Sequence, residues 1–141
     1  MARRSDHSKE EIKALAIKHA YKLIEENGEA GFKARDIAKR MGYTVGTIYY
    51  VFGNMENLRF HVCGHIMDLF NVSALKGLAR KKNKLLYLVT HYIKISKEYR
   101  NQWMFLFNFQ GTFRDNVPDW YIEKTRRGFK MFAEHLAPPY W

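Results

Sequence analysis

The sequence predicts an all-α fold, and three observations carry the prediction. Prolines occur only at positions 118, 138 and 139, so nothing before residue 118 forces a helix to break. Apolar residues recur at three- and four-residue spacing in one segment after another, the period of a helix with one buried face. Strand-like alternation is weak throughout, and the chain has no internal repeat or low-complexity tract. Its 141 residues, 47% hydrophobic and 27% charged, suit one globular domain, or a very small domain joined to a slightly larger one.

Ser8 followed three residues later by Glu11 is a capping-box pattern, which opens a first helix over residues 8–27. Ile12, Leu15, Ala16, Ala20, Leu23 and Ile24 form its apolar stripe, and Asn27-Gly28 ends it. A short loop leads to Phe32, a core anchor. Two short helices follow, over 34–41 and 45–52. Asn54 caps a long fourth helix from 55 to the high 70s, with Leu58, Val62, Ile66, Leu69 and Phe70 on one side. The polar turn LARKKNK precedes a fifth helix over 83–99, bearing Leu85, Leu86, Leu88, Val89, Tyr92, Ile93 and Ile95. A sixth, over 101–110, is crowded with aromatics. Pro118 suits the first position of a seventh helix that runs to about residue 136.

The segment IAKRMGYTVGTIYYVF, residues 37–52, meets the requirements of two short helices crossing at a tight turn. Gly42 supplies the turn conformation, Ala38 the small residue where the helices cross, and Ile37 a core contact. Ile48, six residues after the glycine, and Phe52 return the second helix to the same core. Thr47 and Tyr50, three residues apart, then point outward together. Thr44 stands at the N-cap, and Val45 and Gly46 form the first turn. A glycine there costs the helix about 1 kcal/mol, and close backbone approach to a large partner would account for it. A helix of this kind reads base edges in a major groove with its N-terminal residues.

With Glu56 and Leu58, these residues make residues 9–60 resemble the DNA-binding domain of the TetR family of transcriptional regulators: Ile37-Ala38, Gly42, Thr44, then Gly46-Thr47-Ile48-Tyr49-Tyr50-Val51-Phe52. The resemblance implies a three-helix DNA-binding domain with a helix-turn-helix (1–54), followed by a helical ligand-binding and dimerisation domain (55–141) that is shorter than usual. It implies a repressor of a palindromic double-stranded DNA operator, a homodimer, responsive to a small-molecule effector. The DNA-binding residues would be Lys33, Arg35, Thr44, Val45, Gly46, Thr47, Tyr49, Tyr50 and Asn54, with Tyr49 on a phosphate and Tyr50 toward the bases. The effector pocket would draw on Phe70, His91, Tyr92, Trp103, Phe107, Trp120 and Met131. Two positions depart from the family pattern. Lys33 stands where a Ser or Thr usually caps the second helix, and Met55 replaces a lysine that touches the DNA backbone. Arg59 and the arm residues Arg3 and Arg4 are the cations placed to compensate.

Charge fits this reading. The net charge is +10, with +3 in residues 1–60 and +7 in residues 61–141. The densest basic run, Lys76, Arg80, Lys81, Lys82 and Lys84, lies about 30 Å from the recognition helix along the fourth helix, and faces solvent. A single cysteine, Cys63, allows no intramolecular disulfide and fits a reducing compartment. No apolar run approaches the roughly 20 residues that span a bilayer, and the N-terminus lacks a signal-peptide pattern, so a soluble, cytoplasmic protein without membrane contact is expected. No phosphate loop, HExxH or nucleophile elbow is present, so no enzyme and no cofactor are expected. His61, His65 and Asp68 share a helix face at ligand spacing, but such histidine pairs are common by chance and no metal is expected. The competing class is a small helical binding protein whose helix-turn-helix is structural and binds DNA weakly. In the seventh helix, apolar residues on more than one face (Trp120, Tyr121, Phe129, Met131 and Phe132) point to dimerisation through that helix.

Overall fold

The computed structural model describes residues 7–108 and 116–137, and places them in seven α-helices and one short 3-10 turn, with no strand among them. The helices are α1 (Lys9–Asn27), α2 (Ala34–Met41), α3 (Val45–Phe52), α4 (Met55–Leu78), α5 (Lys84–Glu98), α6 (Arg100–Phe107) and α7 (Asp119–Leu136). The all-α class therefore holds. Arg3, Arg4, Phe109, Phe113 and the last prolines lie outside the described residues, and the sixth helix, expected to run to residue 110, ends at Phe107 with Asn108 as its C-cap.

Local chemistry sets most boundaries. Ser8 accepts from the Glu11 N–H at 3.1 Å while Glu11 Oε1 accepts from the Ser8 N–H at 3.1 Å, so the capping box is reciprocal. Asn54 and Asn83 cap α4 and α5 by accepting from the N–H groups of Asn57 and Leu86. Pro118 is the N-cap of α7 rather than its first residue. Its ψ of 145° is extended, and its carbonyl accepts from Tyr121 and Ile122. Between α1 and α2 the chain turns through a 3-10 segment, Gly28–Gly31, where a simple loop is expected from sequence. Gly31 packs so tightly that a Cβ would sit 2.2 Å from the Leu23 carbonyl oxygen, so only glycine fits.

One apolar core runs through α1 to α4 and on into α5, α6 and α7. Ala16 and Ala20 are fully buried, letting α1 lie against its neighbours, and Ile24, Ile37, Ile48, Leu58, Phe60, Ile66 and Phe105 fill the space between them. Each such side chain contributes about 1.5–3 kcal/mol by leaving water. α1 packs on α2, α3, α4 and α6, so the N-terminal three-helix unit is backed by the C-terminal helices. A second, smaller cluster of Ala74, Leu78 and Leu88, with Phe132 against it, ties the far end of α4 to α5 and α7.

Two apolar expectations need correction. Leu69 is exposed, because α4 turns that edge away from the core that takes Ile66 and Phe70. In α5 only Leu88 and Ile95 are buried, and Leu85, Leu86, Val89 and Ile93 are exposed. These four sit on the side of the helix turned away from α4.

Candidate nucleic-acid interface

The turn between α2 and α3 is built around Gly42. Its φ of 76° is left-handed, and its N–H points back to the carbonyls of Ala38 and Lys39. The Tyr43 N–H also donates to Ala38 at 2.9 Å. Ile37, Ala38 and Met41 of α2 and Ile48 and Phe52 of α3 all face the core, so the crossing is fixed from inside. The hydroxyl of Tyr43 is held at 2.8 Å by His7 Nδ1, which ties the turn to the start of α1.

With Ile48 and Phe52 inward, the outer face of α3 is determined. Tyr50 is 75% exposed and Tyr49 45% exposed. Thr44 and Gly46 are exposed, and Val45 and Thr47 are half-buried. Thr44 occupies the N-cap position with extended backbone, but its side chain does not cap. Its Oγ1 lies 3.2 Å from Thr47 Oγ1 instead, leaving the first-turn N–H groups of α3 without a side-chain acceptor. Lys9 Nζ sits 5.1 Å from the centre of the Tyr50 ring, so the start of α1 brings a cation beside the recognition face. Lys33 holds the N-cap position of α2, also without a capping bond, and Arg35 is exposed on its first turn.

Between the start of α2, Tyr49 of α3 and the start of α4 lies an open cleft of about 560 Å³, lined by Phe32, Lys33, Ala34, Tyr49, Met55, Glu56 and Arg59. Two features of this cleft are not legible in the sequence. Oε1 of Glu56 is buried and makes no hydrogen bond. Arg59 does not reach outward to replace the missing lysine at position 55. Both its terminal nitrogens donate to the Glu29 carboxylate, and its guanidinium lies 4.9 Å from the Phe32 ring centre and 4.4 Å from that of Phe105. Phe105 belongs to α6, and no local pattern around Arg59 signals a contact so distant in sequence. Asn54, expected at the interface, uses its side-chain oxygen to cap α4.

The aromatic residues expected around an effector divide into two groups. Phe70, Trp103, Tyr92 and His91 form a continuous chain of ring contacts, with Phe107 4.6 Å from Trp103. Tyr92 donates to Asn71 Oδ1 at 2.8 Å, and His91 Nε2 lies 3.0 Å from Ser73 Oγ. Phe70 is a buried core residue and Phe107 is largely exposed. Trp120 lies apart from them, stacked on His61 at 4.4 Å, and Met131 is exposed on α7.

The histidine face of α4 is occupied by packing. His61 lies between Phe52 and Trp120, His65 meets the edge of Tyr21, and Asp68 pairs with Lys124 at 2.5 Å. Burial pushes the Cys63 thiol up to about 12, so it stays protonated. Among the described residues no group of three or more His, Cys, Asp or Glu is placed to hold a metal ion. No helix among them is long and apolar enough to cross a membrane.

Two short helices fixed by a left-handed glycine, with one presenting exposed tyrosines and an uncapped N-terminus, define a helix-turn-helix DNA-binding protein. Residues 16–62 match the family model described as bacterial regulatory proteins, tetR family. No curated protein matches the chain. The N-terminal domain is thus that of a TetR family regulator, and the chain is a DNA-binding transcriptional regulator.

Proposed function

We propose that the protein represses transcription in the cytoplasm by binding a palindromic operator as a homodimer, and that a small-molecule effector controls its hold on DNA. The observation that carries this reading is the outer face of α3. A tyrosine 75% exposed, on a helix whose opposite face is locked into the core, is placed to meet base edges in a groove. Thr44, Val45, Gly46, Thr47 and Tyr50 would face the groove. Tyr49, Lys33 and Arg35 would lie along the phosphates. Residues 1–54 would form the DNA-reading unit and 55–141 the regulatory one, where the linked rings of Phe70, Trp103, Tyr92 and His91 are the favoured place for an effector. On α7, Ile122, Phe129 and Leu136 recur every seven residues and are 43%, 74% and 40% exposed, which suits pairing with the same helix of a second copy.

Anisotropy titration against genomic fragments at two salt concentrations tests the reading. One fragment bound far more tightly than random DNA at both concentrations supports it. Equal, weak and salt-sensitive binding to every fragment would instead indicate a helical binding protein that keeps a structural helix-turn-helix. Sedimentation at micromolar concentration tests the dimer separately: a clean 16.8 kDa species, unchanged by operator DNA, ends that part of the proposal.

A further inference from the structure

We propose that the exposed face of α5 is a docking surface for an acidic amphipathic helix of a partner protein. Leu85, Leu86, Val89 and Ile93 are 62%, 58%, 49% and 50% exposed. At ~100° per residue they fall within one sector about 100° wide, and at ~1.5 Å per residue they extend about 12 Å along the axis. That is the footprint of one partner helix contributing an i, i+4, i+7 stripe. α5 runs as continuous helix from Lys84 to Glu98 beneath the stripe and is capped by Asn83, so the surface is preformed.

Charge decides the occupant. Exposed Lys76, Arg80, Lys81 and Lys82 lie before the N-terminal end of the stripe, and exposed Lys97 and Arg100 lie past its C-terminal end. Among the residues of α5 and the turn before it, the one acidic residue, Glu98, lies 3.9 Å from Lys94. A second copy of this chain is disfavoured here. Antiparallel pairing of two α5 helices would set Lys81 and Lys82 of each copy against Lys97 of the other, and parallel pairing would set like against like. A partner helix with a leucine stripe and glutamates at its ends meets both the apolar sector and the cations. A lipid surface fits less well, because four aliphatic side chains with no Trp or Phe offer a narrow contact without the aromatic residues typical of interfacial helices.

The test uses the full chain and a fluorescein-labelled synthetic helix with leucines at i, i+4 and i+7 and glutamates at both ends. Saturable binding at about 10 µM is expected. The double variant Val89→Ser, Ile93→Ser should weaken it at least 10-fold while melting temperature and DNA binding stay unchanged. Lys82→Glu with Lys97→Glu should weaken the glutamate peptide and strengthen a lysine-ended counterpart. Four outcomes overturn the proposal: a scrambled peptide binding equally well; neither helix binding; phosphatidylserine vesicles binding the chain where the peptide does not; or self-association that the Val89→Ser, Ile93→Ser variant abolishes.

Discussion

Arg59 of α4 grips the Glu29 carboxylate with both terminal nitrogens while its guanidinium lies against the rings of Phe32 and Phe105. One side chain thereby joins the 3-10 turn, α4 and α6. Its partner Glu29 is about half exposed, so the ion pair alone is worth little, and the aromatic contacts carry more of the energy. Arg59→Ala should lower unfolding stability by about 1–3 kcal/mol in urea titration. Lysine should not restore it, since an ammonium cannot donate in parallel and stack together. The salt slope of DNA binding should not change, because Arg59 is spent inside the protein. A slope reduced by one unit would return Arg59 to the phosphates.

The exposed face of α3 separates two kinds of contact. Tyr50→Ala should cost about 1–3 kcal/mol of discrimination between operator and random DNA. Thr47→Ala should act in the same direction but more weakly, since Thr47 is half-buried and its hydroxyl is engaged with Thr44. Lys33→Ala should weaken all sequences alike and flatten the salt slope by about one unit. Equal losses on both DNAs for Tyr50→Ala would remove it from the groove.

Much of this face was legible in the sequence. Gly42, Ile37, Ala38, Ile48 and Phe52 act through offsets of a few residues, which spacing alone specifies, and the positions of α2 and α3 follow from them. The inward turn of Arg59 and the placement of Trp120 were not legible, because each depends on partners distant in sequence: Glu29, 30 residues before Arg59, with Phe105 of α6, and His61 of α4 against Trp120. Nor could spacing distinguish the two faces of α5, where apolar residues occur on both. Only packing against α4, α6 and α7 selects Leu88 and Ile95 for burial.

Glu56 lines the cleft proposed to receive a phosphate, and its buried Oε1 has no hydrogen-bond partner. A carboxylate lining the cleft would repel a phosphate that enters it. Glu56→Gln should therefore tighten binding to operator and random DNA by a similar factor, roughly 3- to 10-fold at low salt, with less effect at high salt. Unchanged or weaker binding, measured by anisotropy, would show that no phosphate approaches this cleft.

Gly46 has open space where a side chain would begin. A Cβ there meets only Thr44 Oγ1, at 3.7 Å, an ordinary contact. Gly46→Ala should raise stability by up to about 1 kcal/mol with operator binding largely kept. Gly46→Leu should fold as well but lose operator binding, because the longer side chain holds α3 off the groove. Normal binding by the leucine variant would show that no close backbone approach occurs at this position.

His61 supplies the pH dependence. It lies between Phe52 and Trp120, and its pKa is lowered to about 4, first by burial and then by the charge of Lys13, with Glu10 opposing. The unfolded chain takes up this proton near pH 6.5, whereas the folded chain does so only near pH 4. The neutral, stacked imidazole therefore favours folding fully above pH 6.5. Its contribution falls as the pH drops from 6.5 toward 4, by at most about 1.4 kcal/mol per pH unit, and levels off below that. The ring is only half-buried, so solvent reduces the slope below this limit. His19, His65 and His91 are shifted in the same direction by burial and add to the trend. His61→Phe keeps the stack on Trp120 and removes the proton. Urea titrations between pH 4 and 7.5 should show a shallower loss of stability for the variant than for the native chain, with the two curves parallel above pH 7. Parallel curves across the whole range would mean that His61 takes up its proton as readily in the folded protein as in the unfolded one.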